Sequence, residues 1–92
     1  MSGPVFRDLE IVNEKGLHAR ASAKFVETVE NFNATAIVRR DGMDALGDSI
    51  MGLLMLAASK GSSIEVETRG AEAEALAEAL TQLVASRFGE DM

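Results

Sequence analysis

The chain has 92 residues, enough for one core and too few for two, so a single domain spanning 1–92 is expected. It has no cysteine and one histidine, which excludes disulfides, thiolate metal ligands and a multi-histidine zinc site, and neither metal nor cofactor is expected. Nine basic residues against fifteen acidic ones give a net charge of -6, which argues against nucleic acid as the partner.

Met1 to Asp8 lack the basic stretch followed by an apolar one that marks a secretory signal, and the longest apolar run, Leu53 to Ala58, falls far short of a membrane span. A cytoplasmic protein with no membrane insertion is therefore expected. Val5 to Val12 alternate, with Val5, Leu9 and Ile11 on one side and Phe6, Asp8 and Glu10 on the other, which predicts a first strand. Asn13-Glu14-Lys15-Gly16 turns the chain. From Ala19 to about Asn31, Ser22/Ala23, Phe25/Val26 and Val29 recur at three-to-four spacing, which predicts a helix with Glu27 and Glu30 on its solvated side.

Ala34 to Arg40 reads as a strand joined through Asp41-Gly42, a hairpin signal, to a short strand from Met43 to Leu46. Asp48 or Ser49 offers the N-cap of a short helix running to about Ala57, which Ser59-Lys60-Gly61-Ser62 ends. Ser63 to Arg69 alternates as a strand with one wet face carrying Glu65, Glu67 and Arg69. After Gly70, the segment Ala71 to Phe88 carries one apolar stripe, Ala73, Leu76, Ala77, Leu80, Leu83, Val84 and Phe88, and predicts the last helix. Glu90-Asp91-Met92 reads as a frayed tail. The order β-α-β-β-α-β-α predicts an α+β open-faced sandwich: a four-stranded antiparallel sheet with three helices on one face.

His18 stands between a glycine turn and the start of the first predicted helix. A lone histidine is ordinarily an unremarkable loop residue, but this context is specific. A neutral imidazole is a competent nucleophile near neutral pH, and its phosphorylation gives a labile phosphoramidate from which the group can move on. A helix start offers unpaired N–H groups and the positive end of the macrodipole to the anion so formed. Arg20 lies two residues on. A cation is electrostatically disfavoured there, so it too points to an anion, for which it supplies a planar donor.

Ser49 has an ordinary role as an N-cap. The helix after it is apolar nearly all round: Leu53, Leu56 and Ala57 share one arc, and Ile50, Met51, Leu54 and Met55 another. One arc can face the core; the other is left to a docking partner or a dimer. Ile50, Met51 and Leu54, with Ala19, Arg20 and Lys24, are the candidate partner contacts.

Gly16-Leu17-His18-Ala19-Arg20, the Phe25-containing helix that follows, and Asp48-Ser49-Ile50-Met51-Gly52-Leu53-Leu54-Met55-Leu56-Ala57 at their separation resemble the HPr family of histidine-containing phosphocarriers of the bacterial phosphotransferase system. The resemblance runs from Leu9 to Leu83. It implies that His18 accepts a phosphoryl group from phosphoenolpyruvate-charged enzyme I and passes it to a IIA-type protein, with Arg20 as electrostatic partner. It also implies that Ser49 matches a serine modified by an HPr kinase/phosphatase in some bacteria. Two departures are visible. Ala21 stands where the family usually has proline, and Glu27 and Glu30 stand where sugar-transport members tend to carry lysines, which leans toward the nitrogen-related, regulatory branch. The expected species is a monomer with transient interfaces that relies on its partners for catalysis. Two alternatives are an acyl carrier modified at Ser49 and an adaptor that keeps the fold without phosphotransfer.

Overall fold

Alternation in the strands and three-to-four spacing in the helices build one shared core. The computed structural model describes residues 3–92. The elements run β1 (Val5–Glu10), α1 (Ala19–Glu30), β2 (Thr35–Arg40), β3 (Met43–Leu46), α2 (Ile50–Met55), β4 (Ser63–Arg69) and α3 (Ala73–Ala85), followed by a 3-10 turn at Arg87–Gly89. The sheet order is β1-β4-β2-β3, with every pair antiparallel. The last strand in sequence thus enters next to the first, and the helices pack on one face as expected.

On that face Leu9, Ile64, Val66, Ala36, Val38 and Ala45 are buried against Phe25 of α1, Leu53 of α2, Leu56 at the end of that helix, and Leu76, Leu80 and Val84 of α3. Each large side chain so buried contributes about 1.5–3 kcal/mol. The β2–β3 hairpin turns on Asp41 and Gly42, both left-handed (φ 50 and 80), the twist that a two-residue loop between right-twisted strands requires.

Four expectations are corrected. The first strand stops at Glu10, although Ile11 still exchanges backbone hydrogen bonds with Gly61 and Ser62. The second helix stops at Met55, and Ala57 turns left-handed (φ 51), so Ala58 rather than Ala57 joins the core. The last helix stops at Ala85, because Arg87, Phe88 and Gly89 all take positive φ (59, 55 and 78) and fold the Phe88 ring back into the core, where it is fully buried. Glu90-Asp91-Met92 is accordingly not frayed: the Glu14 N–H donates to the Met92 carbonyl at 3.0 Å, and Glu90 reaches inward.

The sheet's open face holds a further correction. Cross-strand pairing aligns Phe6, Glu67, Ile37 and Leu46 in one row. Glu67 is only 3% exposed within it, because Arg39 (Nη1 to Oε1, 2.8 Å) and Arg69 close over its carboxylate. Hydrogen bonds from Arg39 and then Arg69 hold the Glu67 carboxyl below the ordinary carboxylate range, against the desolvation that opposes them. Glu65 and Arg69 remain on the wetter side, as the alternation predicts.

Candidate functional site

The site begins where the chain leaves β1. Gly16 is left-handed (φ 66), and a Cβ there would lie 2.5 Å from the Ala58 carbonyl oxygen, which instead accepts from the Leu17 N–H at 2.9 Å. No residue with a side chain fits that approach without displacing backbone. The turn delivers His18 to the N-cap of α1, with extended backbone (φ -79, ψ -177) and its carbonyl accepting from the Ser22 N–H at 2.8 Å.

The His18 ring is partly buried and engaged at both nitrogens. Nδ1 accepts from the backbone N–H of Arg20 at 3.3 Å, so the ring itself caps the helix. Nε2 meets the Oε2 of Glu90. The other carboxylate oxygen accepts from Asn13 Nδ2 at 2.9 Å, and Asn13 Nδ2 also donates to the Gly16 carbonyl at 2.9 Å. The Asn13 hydrogen bond is the foremost cause holding the Glu90 carboxyl below its ordinary value; burial opposes it, and the bond with His18 adds to it. Glu90 is therefore a carboxylate at neutral pH.

Arg20 is exposed, and no carboxylate lies within ion-pairing distance of its guanidinium among the described residues. Arg20, Lys15 and Lys24 line a cleft of ≈ 330 Å³ together with Glu14 and the tail from Gly89 to Met92. Lys24 is less free than its sequence position suggests, since Nζ donates to the Phe88 carbonyl at 2.7 Å and ties α1 to the terminal turn.

Ser49 is the N-cap of α2: its Oγ accepts from the Gly52 N–H at 3.0 Å, which decides between the two residues the sequence offers. Beyond it Ile50, Met51 and Met55 are exposed (40%, 68% and 72%), Leu54 is half-buried, and Leu53 and Leu56 face the core. Because α2 packs against α1 and β3, this apolar arc belongs to the same side of the molecule as the helices. Ala19, the first residue of α1, is exposed beside His18.

Asn13 and Glu90 are the site residues that pattern reading misses. They lie 77 positions apart, and the sole hint is Phe88 extending the apolar stripe of α3 just before a glycine. None of the helices is long and apolar enough to cross a membrane, and no cluster of three or more metal-ligating side chains occurs among the described residues.

The family profile described as the PTS HPr component phosphorylation site matches residues 5–86. The chain is 52% identical over 85 residues to a phosphocarrier protein HPr of Neisseria meningitidis serogroup A, covering 91% of this chain and 94% of the relative. It is 40% identical over 88 residues to the phosphocarrier protein NPr of Escherichia coli K12, covering 95% of this chain and 98% of the relative. The fold superimposes on the crystal structure of HPr-C-His from Thermoanaerobacter tengcongensis with a TM-score of 0.90 at 35% identity, covering 96% of this chain and 99% of that one. Neither the acyl-carrier nor the adaptor alternative finds support in these matches, and a sheet-based fold is unlike a helical carrier bundle. Length-wide identity, a shared fold and a histidine capping the first helix lead to one conclusion: the chain belongs to the HPr family of phosphotransferase-system phosphocarriers.

Proposed function

We propose that His18 is the phosphoryl acceptor, receiving the group on Nδ1 from phosphorylated enzyme I and relaying it to a IIA-type protein. The observation that carries this reading is the ring at the helix N-cap, with Nδ1 turned to the N–H groups of the first turn and Nε2 already taken by Glu90. A phosphoryl group on Nδ1 puts its oxygens where the helix start stabilises negative charge, and the Arg20 guanidinium, unpaired within the described chain, is the side-chain donor for them. The protein acts as a carrier, and the partner supplies catalysis of each transfer.

Docking is assigned to the exposed arc of α2, Ile50, Met51 and the half-buried Leu54, with Ala19 and Lys24 on α1. Met and Ile side chains exposed on a short helix form an adaptable apolar contact suited to a succession of partners. Ser49 is a candidate for regulatory phosphorylation by an HPr kinase/phosphatase: a phosphate at an N-cap is compatible with the helix and sets negative charge beside the docking arc. Glu27 and Glu30 are exposed on α1 and favour a regulatory IIA-type acceptor over a sugar-specific one. The protein is proposed to work as a cytoplasmic monomer without metal or cofactor.

Incubation with phosphoenolpyruvate and enzyme I tests the reading. Acid-labile phosphate is expected on the wild type and absent from His18→Ala; equal labelling of both proteins would refute it.

A further inference from the structure

Asn13 and Glu90 lie outside every motif, yet together they determine the state of the His18 ring. The Gly16 carbonyl can only accept, so the Asn13 amide must turn Nδ2 toward it, and the same nitrogen then donates to Glu90 Oε1. That orientation is kept although it leaves the buried Asn13 Oδ1 without a partner among the described residues. Glu90 is thereby aimed with Oε2 at His18 Nε2. A carboxylate can only accept, so Nε2 carries the proton, and the Arg20 N–H at the other side of the ring can only donate, so Nδ1 carries the lone pair.

We propose that Glu90, oriented by Asn13, is a positioning residue that holds His18 in the Nε2–H tautomer and so keeps the lone pair on Nδ1, where only the long 3.3 Å contact with the Arg20 N–H has to give way to the incoming phosphorus. This inference rests on the phosphoacceptor role proposed for His18. In the step itself the Nδ1 lone pair forms the N–P bond while the bond between phosphorus and the donor atom breaks, its electron pair staying with the donor. The ring then bears the phosphoryl group on Nδ1 and a proton on Nε2, and the positive charge of that ring is balanced by the Glu90 carboxylate. The reverse sequence releases the group to the acceptor and returns the neutral Nε2–H ring. The terminal turn at Arg87–Gly89 is thus part of the site: burial of Phe88 and the Lys24 hydrogen bond to its carbonyl anchor the segment that presents Glu90.

Glu90→Gln makes the test sharp. Asn13 still claims the side-chain oxygen, so the new amide turns an N–H toward Nε2 and penalises the Nε2–H form, leaving the Arg20 N–H as the one group of the pair around the ring that still favours it. Glu90→Ala removes the constraint without imposing the wrong form. Nitrogen-15 NMR of histidine-labelled protein reads the tautomer directly, because the chain has one imidazole. The expected results are Nε2–H in the wild type, a population moved toward Nδ1–H in Glu90→Gln, and phosphoryl uptake from the phosphorylated donor slowed about tenfold in Glu90→Gln, with Glu90→Ala between the two. Adding Asn13→Ala to Glu90→Gln frees the amide to rotate and restores both tautomer and rate toward wild type, an outcome a merely structural role would not give. An unchanged tautomer in Glu90→Gln, or a changed tautomer with wild-type uptake, overturns the inference. Absence of uptake by the wild type would instead defeat the phosphoacceptor reading, while the tautomer comparison would still judge the Asn13–Glu90 arrangement.

Discussion

Among single residues, Gly16 and Arg20 stand at opposite extremes of structural constraint in the proposed site. Gly16 combines positive φ with a 2.5 Å approach of any Cβ to the Ala58 carbonyl, so Gly16→Ala incurs both left-handed strain and overpacking. A loss of about 2 kcal/mol or more in urea-unfolding stability is expected. Arg20 presents the opposite case: exposed and making no ion pair among the described residues, it contributes little to the fold. Arg20→Ala is expected to leave the unfolding midpoint in place while slowing phosphoryl uptake about tenfold, the worth of a charge-assisted hydrogen bond to the transferring group. A stopped-flow or quench comparison beside a urea titration separates the two effects.

At the scale of elements, two N-caps of different kinds organise the working side of the molecule. α1 begins on the His18 ring itself, and α2 on the Ser49 hydroxyl. Ser49→Ala leaves the Gly52 N–H without its partner, and a loss of about 1 kcal/mol in stability is expected, with phosphate uptake on His18 retained. The strand β3 was legible from the Asp41-Gly42 hairpin signal, and β4 and the core stripe of α3 because alternation over seven residues and a long 3.6-residue period report on local burial. The ending of α3 was not. Nothing in Ser86-Arg87-Phe88-Gly89 taken locally forces two non-glycine residues into positive φ; the buried Phe88 ring and the Lys24 hydrogen bond, contacts made across the fold, do so. The same reason hid Glu90 and Asn13, whose meeting depends on where that turn delivers the tail. The placement of His18 and Arg20 at a helix start was legible because the periodicity that announces α1 begins beside them.

For the whole molecule, charge placement sets the response to acid. Glu67 sits under Arg39 and Arg69 on the open face, and Glu90 between Asn13 and His18; both carboxyls are held below their ordinary range. A carboxyl whose folded pKa lies below its unfolded value of about 4.3 contributes stability that is complete above that value and is lost as pH falls toward the folded one. Stability is therefore expected to hold at neutral pH and to decline below about pH 5. Glu67→Gln removes one of the two groups, so its decline should be shallower, as measured by urea titrations at pH 7, 5 and 4; an identical acid limb would show that the Arg39–Glu67–Arg69 cluster is not a source of it. Glu67 also marks where alternation misled, since a residue on the outer face of a sheet is wet only if its cross-strand neighbours leave it uncovered, and here two arginines do not.

Phosphoryl transfer to His18 is tested most directly by phosphorus and nitrogen-15 NMR of the histidine-labelled protein after incubation with phosphoenolpyruvate and enzyme I. The single imidazole in the chain makes the assignment unambiguous. One phosphoryl group per molecule is expected, coupled to Nδ1 of His18, with Nε2 still protonated. Phosphate incorporated while the His18 resonances stay unchanged would contradict it.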